Sequence, residues 1–237
     1  MEKLKDLFKK AFVFLLKLLL ILFGLSIIGV IIFRFVPIPV TPLILIRMFE
    51  QMTDDKKEFR FKKDWVSFDE ISSNLPLSVI SSEDQLFLEH NGFDVKAIEK
   101  AIKYNKKKKG KKIKGASTIS QQTAKNVFLW PSRTYLRKGL EVYFTVLIEL
   151  CWNKKRIMEV YLNSIEMGDG IYGVQAAAQF YFKKDAEKIT RGEAALIAAI
   201  LPNPRKWNAA KPTGYILGRK AWIERQMINL EGEIKFD

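Results

Sequence analysis

A long apolar run near the N-terminus constrains what this chain can fold into more than any other feature. Residues 11–33 hold a single charged side chain, Lys17, in 23 positions. As a helix rising 1.5 Å per residue, such a run extends about 35 Å, and the hydrocarbon core of a bilayer is about 30 Å thick. The sequence therefore predicts a transmembrane helix over residues 11–33, with Lys17 extending its charge to the nearer interface.

The charges flanking this run predict its orientation. The preceding residues 1–10 carry four lysines, namely Lys3, Lys5, Lys9 and Lys10. Positive charge is retained in the cytoplasm, so we expect a single-pass protein of the cytoplasmic (inner) membrane with its N-terminus inside and its main domain on the periplasmic or extracytoplasmic face. A cleaved signal peptide is the alternative. The run is too long for an ordinary signal sequence, and no small-x-small cleavage site follows it, which favours an uncleaved anchor.

The rest of the chain is long enough for one globular domain. We expect residues 34–66 to form a juxtamembrane linker and interfacial segment, and residues 67–237 to form the domain. The proline-rich stretch 36–49 suits either a segment lying at the membrane interface or a core segment that follows a stiff linker. The net charge is +14, of which +11 lies after residue 33. That charge favours anionic partners: nucleic acid, lipid headgroups or a phosphorylated substrate.

Hydrophobic periodicity predicts a mainly α domain, because helical spacing recurs and no alternation of strands and helices is visible. Asp94 is placed to cap the first of several predicted helices, and Thr118 and Gln121 have the spacing of a capping box. The helix from Leu136 is apolar on almost every side, which predicts that it is buried. The predicted helices cover Val95–Tyr104, a segment opened by Thr118, Leu136–Trp152, Lys154–Asn163, Val174–Tyr181 and Arg191–Leu201.

Acidic side chains in apolar surroundings are the first candidates for chemistry. Glu83 and Asp84 follow the uncharged stretch 75–80, and His90, the one histidine of the chain, comes seven residues after Glu83. Partial burial raises the pKa of a carboxyl group and suits it to proton transfer near neutral pH. The alternative is a solvated acidic pair with no catalytic role. Phosphate-binding glycine loops, dinucleotide fingerprints and zinc patterns are absent from the sequence, and a serine–histidine triad has no marked serine.

Basic residues follow these acids at helical spacing. The Gly-Ala-Ser turn at residues 115–117 opens a helix whose free N–H groups, with Lys125 nearby, would suit a phosphate oxygen. Glu141 lies four residues after Arg137 and three after Lys138, close enough to pair on one helix. A carboxylate in so apolar a helix is costly unless it is paired or used in catalysis. The lysine-rich stretch Lys106–Lys114 is either a solvated loop or an electrostatic guide for anions.

Taken in order, four motifs resemble the peptidoglycan glycosyltransferases (murein polymerases) of the lysozyme-like superfamily. They are Glu-Asp-x-x-Phe-x-x-His-x-Gly from Glu83, Gly-Ala-Ser-Thr-Ile-Ser-Gln-Gln-Thr-Ala-Lys-Asn from Gly115, Arg-Lys-x-x-Glu from Arg137, and Arg-Ile-x-x-x-Tyr-Leu-Asn from Arg156. The likeness covers residues 75–204. It implies a lysozyme-like glycosyltransferase domain behind one N-terminal transmembrane helix. One departure is Lys183, where much of the family has glycine.

The resemblance implies a reaction and a set of roles. Such an enzyme polymerises lipid II into glycan strands, releases undecaprenyl diphosphate and inverts the donor anomeric carbon. Glu83 matches the general base, and Glu141 matches a second catalytic glutamate at the diphosphate end. The remaining matched residues would bind substrate or support the site. Arg137, Lys138 and Lys125 would neutralise phosphates; Ser117, Gln121, Gln122 and Asn126 would shape the cleft; and Asp84, Phe87 and His90 would support the catalytic residues.

The resemblance also implies the partners: lipid II, the lipid-linked glycan strand, the bilayer and proteins of cell-wall synthesis or division, with no nucleic acid. No cofactor is required by the sequence, and it shows no metal ligand set. The family allows a divalent cation (Mg²⁺ or Mn²⁺), because some members are stimulated by one. Two alternatives remain at this point: a lysozyme-like enzyme that cleaves the cell wall, and an inactive anchored scaffold.

Overall fold

A computed structural model describes residues 2–54, 58–108, 115–132 and 134–236 of the chain. The chain divides into two compact units, residues 1–37 and 38–237. The first unit contains helix α1 (Glu2–Phe33), which includes the whole predicted span and begins nine residues before it. Within the described residues, α1 is the helix whose length and apolar composition would suffice to cross a membrane.

The second unit is built mainly of helices, which confirms the predicted fold class. Short 3₁₀ helices also occur at Phe68–Glu70 and Ala186–Lys188. In chain order the α-helices are α2 (Pro42–Met52), α3 (Asn74–Glu83), α4 (Val95–Lys107), α5 (Ile119–Phe128), α6 (Tyr135–Cys151), α7 (Lys154–Ser164), α8 (Val174–Phe182), α9 (Arg191–Ile200) and α10 (Gly214–Leu230).

A small sheet that the sequence did not predict lies in the second unit. Its described strands are β1 (Lys62–Lys63), β2 (Glu166–Gly168) and β3 (Ile171–Tyr172), in the order β1–β3–β2. Strand β1 runs parallel to β3, and β2 runs antiparallel to it. Gly170 turns the chain between β2 and β3 at φ 73°, where a Cβ atom would lie 2.0 Å from the Arg60 carbonyl oxygen. Glycine is therefore required at this turn.

Side-chain caps set the beginnings of the helices as expected. The Asp94 carboxylate accepts a hydrogen bond from the Ala97 N–H, and Thr118 and Gln121 form a reciprocal capping box at the start of α5. Helix α4 continues to Lys107, three residues beyond its predicted end, so Lys106 and Lys107 are helical rather than part of a loop. Lys108 is the C-cap of this helix, and residues 109–114 of the predicted basic loop lie outside the described residues.

Two helix layers place the functional elements. Helix α9, rich in alanine and buried along most of its length, packs against α3 and α10, whereas α5 packs against α6 and α7. Small alanine side chains let neighbouring helices approach closely and pack densely. Hydrogen bonds of Gln122 to Glu83 and of the Ile119 N–H to Asp84 join the end of α3 to α5.

The prediction that α6 is buried on all sides was wrong. One face packs on α5 and buries Glu141, Thr145 and Ile148. The opposite face is apolar but exposed: 70% of Leu136 and 77% of Leu150 are accessible, and Val142 and Val146 are also exposed. Average hydrophobicity cannot assign a face, because burial depends on which neighbour covers the helix.

Lys183 ends helix α8 in the left-handed region, at φ 59° and ψ 36°. A side chain with a Cβ atom is disfavoured there, whereas glycine adopts this conformation at little cost. The structure thus explains why glycine is common at this position in the family that the sequence resembles.

Candidate active site

The Glu83 carboxylate is held between two neighbouring polar groups. Glu83 is the last residue of α3, and Asp84 ends the helix with an extended backbone. The Ser82 hydroxyl donates to Glu83 Oε1 at 3.1 Å, and the Gln122 side-chain amide donates to Glu83 Oε2 at 3.1 Å. The half-buried carboxylate therefore has one fixed orientation, which a general base needs in order to meet its proton donor.

Tyr161 fixes the orientation of Gln122. Its hydroxyl donates to the Gln122 amide oxygen at 3.3 Å, which directs the amide nitrogen toward Glu83. Burial, followed by the charges of Glu83 and Asp84, raises the pKa of Tyr161 well above its usual value of 10. The phenol therefore keeps its proton at physiological pH and remains a donor in the chain Tyr161–Gln122–Glu83.

Asp84 joins the C-terminal end of α3 to helix α5. Its carboxylate accepts a hydrogen bond from the backbone N–H of Ile119 at 2.9 Å and lies 2.9 Å from His90 Nε2. The carboxylate is thus placed at the positive end of the α5 dipole. Nearby, the buried Phe87 ring lies 4.7 Å from the Lys154 ammonium, which also donates to the His90 carbonyl oxygen. These residues hold α3 and α5 together.

A cationic group surrounds Glu141, which is only 2% exposed. Arg137 Nη1 donates to Glu141 Oε2 at 2.6 Å, and Lys138 pairs with Glu141 Oε1. The local pairing predicted from the sequence is confirmed. Burial lowers the pKa of Lys125 below its usual 10.5, and the positive charges of Arg137 and Lys138 lower it further, whereas the negative charges of Glu141 and Glu83 oppose the shift. With three cations and one acid, this group carries a net charge of +2.

A cavity of about 610 Å³ lies beside these groups. Its volume falls in the usual range for small-molecule sites, about 300–1,000 Å³. Helix α5 supplies Gln122, Lys125 and Asn126, and α6 supplies Arg137. The rest of the described lining is Leu43, Arg47, Glu50, Leu129, Trp130, Pro131, Ser132, Tyr161, Ile165, Glu166, Leu201 and Pro204.

The residues that the sequence suggested divide into two sets. Four line the cavity, namely Gln122, Lys125, Asn126 and Arg137. The others lie behind or beside its described lining. Gln121 is buried and its amide oxygen accepts from the Thr118 N–H, and Ser117 is exposed before the helix. Asp84, Phe87 and His90 bind other protein groups, as described above, and Lys138 and Glu141 form the ion pair behind Arg137.

One wall of the cavity was missed by the sequence analysis. Arg47 and Glu50 on α2 and Glu166 at the start of β2 line it. A signal for Glu166 was present, because it is an acid between the apolar residues Ile165 and Met167, and acids in apolar surroundings were the first candidates for chemistry. Arg47 likewise interrupts an apolar stretch. Their convergence could not be read from the sequence, since Arg47 and Glu166 are 119 positions apart.

The residues around the cavity do not fit a resident divalent cation. Both oxygens of Glu141 are already paired with cationic side chains. Within the described ranges, no group of three or more His, Cys, Asp or Glu side chains is placed to hold a metal ion. Hard cations such as Mg²⁺ prefer several oxygen ligands, which this arrangement does not offer.

Comparison with known proteins gives one consistent family. The family model described as Transglycosylase matches residues 50–228. Three similar proteins are each named biosynthetic peptidoglycan transglycosylase. That of Bacteroides thetaiotaomicron is 57% identical over 92% of this chain and 87% of its own length. That of Bdellovibrio bacteriovorus is 53% identical over 88% and 82%, and that of Escherichia coli (strain ATCC 8739) is 50% identical over 93% and 90%.

Proposed function

We propose that this chain, which belongs to the peptidoglycan transglycosylase family, polymerises lipid II into glycan strands with Glu83 as the general base. Membership of the family makes the chain a glycosyltransferase of peptidoglycan synthesis. The observation that carries the finer assignment is the Glu83 carboxylate, oriented by Gln122 next to a cavity whose wall bears Lys125 and Arg137. A base and a cationic site are the two elements that glycosyl transfer from a diphosphate requires.

The proton step follows from the orientation of Glu83. Its carboxylate removes the proton from the 4-hydroxyl of the acceptor N-acetylglucosamine. The freed oxygen attacks C1 of the donor N-acetylmuramic acid from the face opposite the diphosphate, so the configuration changes from α to β. The proton remains on Glu83 until it is lost to water. The Gln122 amide keeps the base aimed at the hydroxyl throughout.

The leaving group is assigned to the cationic end of the cavity. The bond between C1 and the phosphate oxygen breaks, and undecaprenyl diphosphate carries the electron pair away. Lys125 and Arg137 neutralise that charge, and Lys138 adds to the local positive potential. Glu141 holds Arg137 and Lys138 in place by its two ion pairs. No step in this scheme passes through a metal ion.

We assign α1 as an uncleaved anchor, with the N-terminus in the cytoplasm and the second unit on the extracytoplasmic face. Length, apolar composition and flanking lysines support this assignment. A reporter enzyme that is active only outside the cytoplasm, fused after the C-terminus, should be active. The same reporter fused before α1 should be inactive, and the opposite pattern would refute the orientation.

The function is tested with purified full-length protein in detergent and labelled lipid II. We expect long glycan strands and stoichiometric release of undecaprenyl diphosphate, with product formed equally in the presence of a chelator. Incubation with finished cell-wall sacculi should release no fragments. Degradation of sacculi without polymerisation would instead identify a lysozyme-like cleaving enzyme, and no activity in either assay would favour a scaffold.

A further inference from the structure

The wall of the cavity formed by Arg47 and Glu166 has no part in the proton or leaving-group steps. Arg47 Nη1 donates to Glu50 Oε2 at 2.5 Å, and Arg47 Nε lies 3.9 Å from Glu166 Oε2. On the far side of Glu166, Arg205 Nε lies 3.9 Å from Oε1 and 3.3 Å from Asp169 Oδ1. Helix α2, strand β2 and the segment after α9 therefore meet at one polar cluster.

Glu166 makes fewer hydrogen bonds than a buried carboxylate usually does. Its side chain is only 10% exposed, yet among the residues that the structure describes Oε1 has no hydrogen-bond partner, and neither does Nε of Arg47. The carboxylate accepts a hydrogen bond from the Gly170 backbone N–H, and both arginines stand beyond hydrogen-bond distance. Buried polar groups are almost always paired in native proteins, because an unmade hydrogen bond is costly. The two enclosed atoms are themselves out of a ligand's reach, but both residues line the cavity and place a carboxylate and a guanidinium at its wall.

The charge of the cluster decides which ligand it suits. Two arginines, Arg47 and Arg205, face three carboxylates, those of Glu50, Glu166 and Asp169. The cluster carries −1 if Glu166 is ionised and 0 if Glu166 is protonated. It therefore cannot neutralise a second diphosphate, unlike the group around Lys125, which carries +2. Arg47 and Glu166 together offer a donor and an acceptor whose charges cancel. Such a pair suits a neutral ligand rich in hydroxyl and amide groups.

We propose that Arg47 and Glu166 form a subsite for an N-acetylated sugar ring of the lipid-linked saccharide. The inference rests on the proposed function. An acetamido group offers one N–H donor and one carbonyl acceptor. Glu166 accepts from the amide N–H or a ring hydroxyl, and Arg47 donates to the carbonyl. One substrate then spans the cavity, with its diphosphate at Lys125 and Arg137 and its saccharide at the opposite wall.

The test separates the sugar from the diphosphate by comparing two fluorescent ligands. Lipid II carries both parts, whereas undecaprenyl diphosphate lacks the saccharide. Their dissociation constants are measured on full-length protein in detergent, in a Glu83→Gln background so that lipid II is not consumed. To this background are added, one at a time, Glu166→Gln, Arg47→Lys, Lys125→Ala and the matched ion-pair control Glu224→Gln, whose partner Lys220 lies on α10 away from the cavity.

Glu166→Gln and Arg47→Lys should each weaken lipid II binding by roughly tenfold, the factor expected from one lost charge-assisted hydrogen bond. Their affinity for undecaprenyl diphosphate should be unchanged, which a merely structural role would not produce. Lys125→Ala should weaken both ligands, and Glu224→Gln neither. Arg47→Lys retains the charge that pairs with Glu50, so it reports on the subsite if Glu166→Gln does not fold.

Two results would overturn the subsite: unchanged lipid II affinity in both variants, or equal weakening of both ligands. Failure of the proposed function looks different. If the protein without Glu83→Gln binds lipid II but makes no polymer, the polymerase assignment fails and the affinity differences still decide the subsite. If it does not bind lipid II at all, both assignments are refuted.

Discussion

The Gln122 side-chain amide lies 3.1 Å from the Glu83 carboxylate. This hydrogen bond joins α5 to α3 through two residues that are 39 positions apart in the chain. Asp84, the next residue after Glu83, binds the backbone of Ile119 in the same helix, α5. Two adjacent acids thus have different partners on one helix. Asp84 fixes the position of the helix, and Gln122 fixes the orientation of the Glu83 carboxylate.

Glu83→Gln should abolish polymerisation. An amide of the same shape keeps the packing but cannot accept the hydroxyl proton, and loss of a general base costs about 10²–10⁴-fold in rate. The measurement is the initial rate of glycan synthesis from lipid II, with circular dichroism and membrane fractionation as controls for folding and insertion. Near-normal product from a folded variant would contradict the assignment of Glu83.

Asp84→Ala should lower both stability and rate. It removes the acceptor for the buried Ile119 N–H and for His90, and an unsatisfied buried donor costs about 1–3 kcal/mol in the free energy of unfolding. The matched control is Asp69→Ala, because Asp69 is 81% exposed and pairs with Lys155 at the surface. That pair should contribute less than about 1 kcal/mol. Equal losses in denaturant titrations would mean that Asp84 has no special structural role.

Lys138→Ala should reduce kcat/KM for lipid II by about tenfold or more, because it removes positive charge beside the leaving diphosphate and one of the two partners of the buried Glu141 carboxylate. Lys107→Ala removes the same charge from the exposed end of α4 and should change the rate by less than about twofold. Steady-state rates at two salt concentrations provide the comparison. Equal effects of the two substitutions would argue against a fixed diphosphate site.

Glu166→Gln should change how stability depends on pH. Burial raises the pKa of Glu166 above its usual 4.5, although Arg47 and Arg205 oppose the shift. The folded state then binds the proton more tightly than the unfolded state. This contribution to stability is fully present below pH 4.5 and is lost as the pH rises through the raised pKa.

The variant has no such proton to lose. Its thermal midpoint, compared with that of the wild type, should therefore improve as the pH rises through this window. Arg47→Lys leaves the Glu166 carboxyl in place and should keep the pH dependence. A constant difference between Glu166→Gln and wild type across the window would show that the carboxyl does not titrate in this way.

Lys183→Gly should stabilise the protein by about 1 kcal/mol, because it relieves the Cβ clash of the left-handed conformation at the end of α8. The Lys183 ammonium contacts the Phe180 carbonyl and ring, so side-chain effects need a control. Lys183→Ala removes those contacts but keeps the Cβ atom. Only the glycine variant should raise the thermal midpoint, and a similar rise in both would exclude the backbone explanation.

Local features of the fold and site were predictable. Asp94 and Thr118 cap helices because a side chain at a helix start reaches N–H groups two or three residues on. Glu141 pairs with Arg137 and Lys138 because residues three and four apart share a helix face. The ordered motifs predicted the family, which the comparisons confirmed.

Features that depend on packing were not predictable in this way. The exposed apolar face of α6, the strands at residues 62–63 and 166–172, and the pairing of Glu83 with Gln122 all depend on which elements become neighbours. Hydrophobic pattern and residue spacing contain the geometry of one helix. They do not contain the relative placement of two helices that meet only after folding.

By itself, then, the sequence determined the apolar N-terminal helix, the helical class of the domain, the helix caps and the Glu141 ion pairs. Each of these arises from interactions within a few residues or from overall composition. Tertiary structure alone decided that Gln122 orients Glu83, and that Arg47 and Glu166, 119 residues apart, share one cavity wall. The physical reason is that such contacts form only when distant segments bury a common core. Which residues then meet depends on how all the elements of that core pack together.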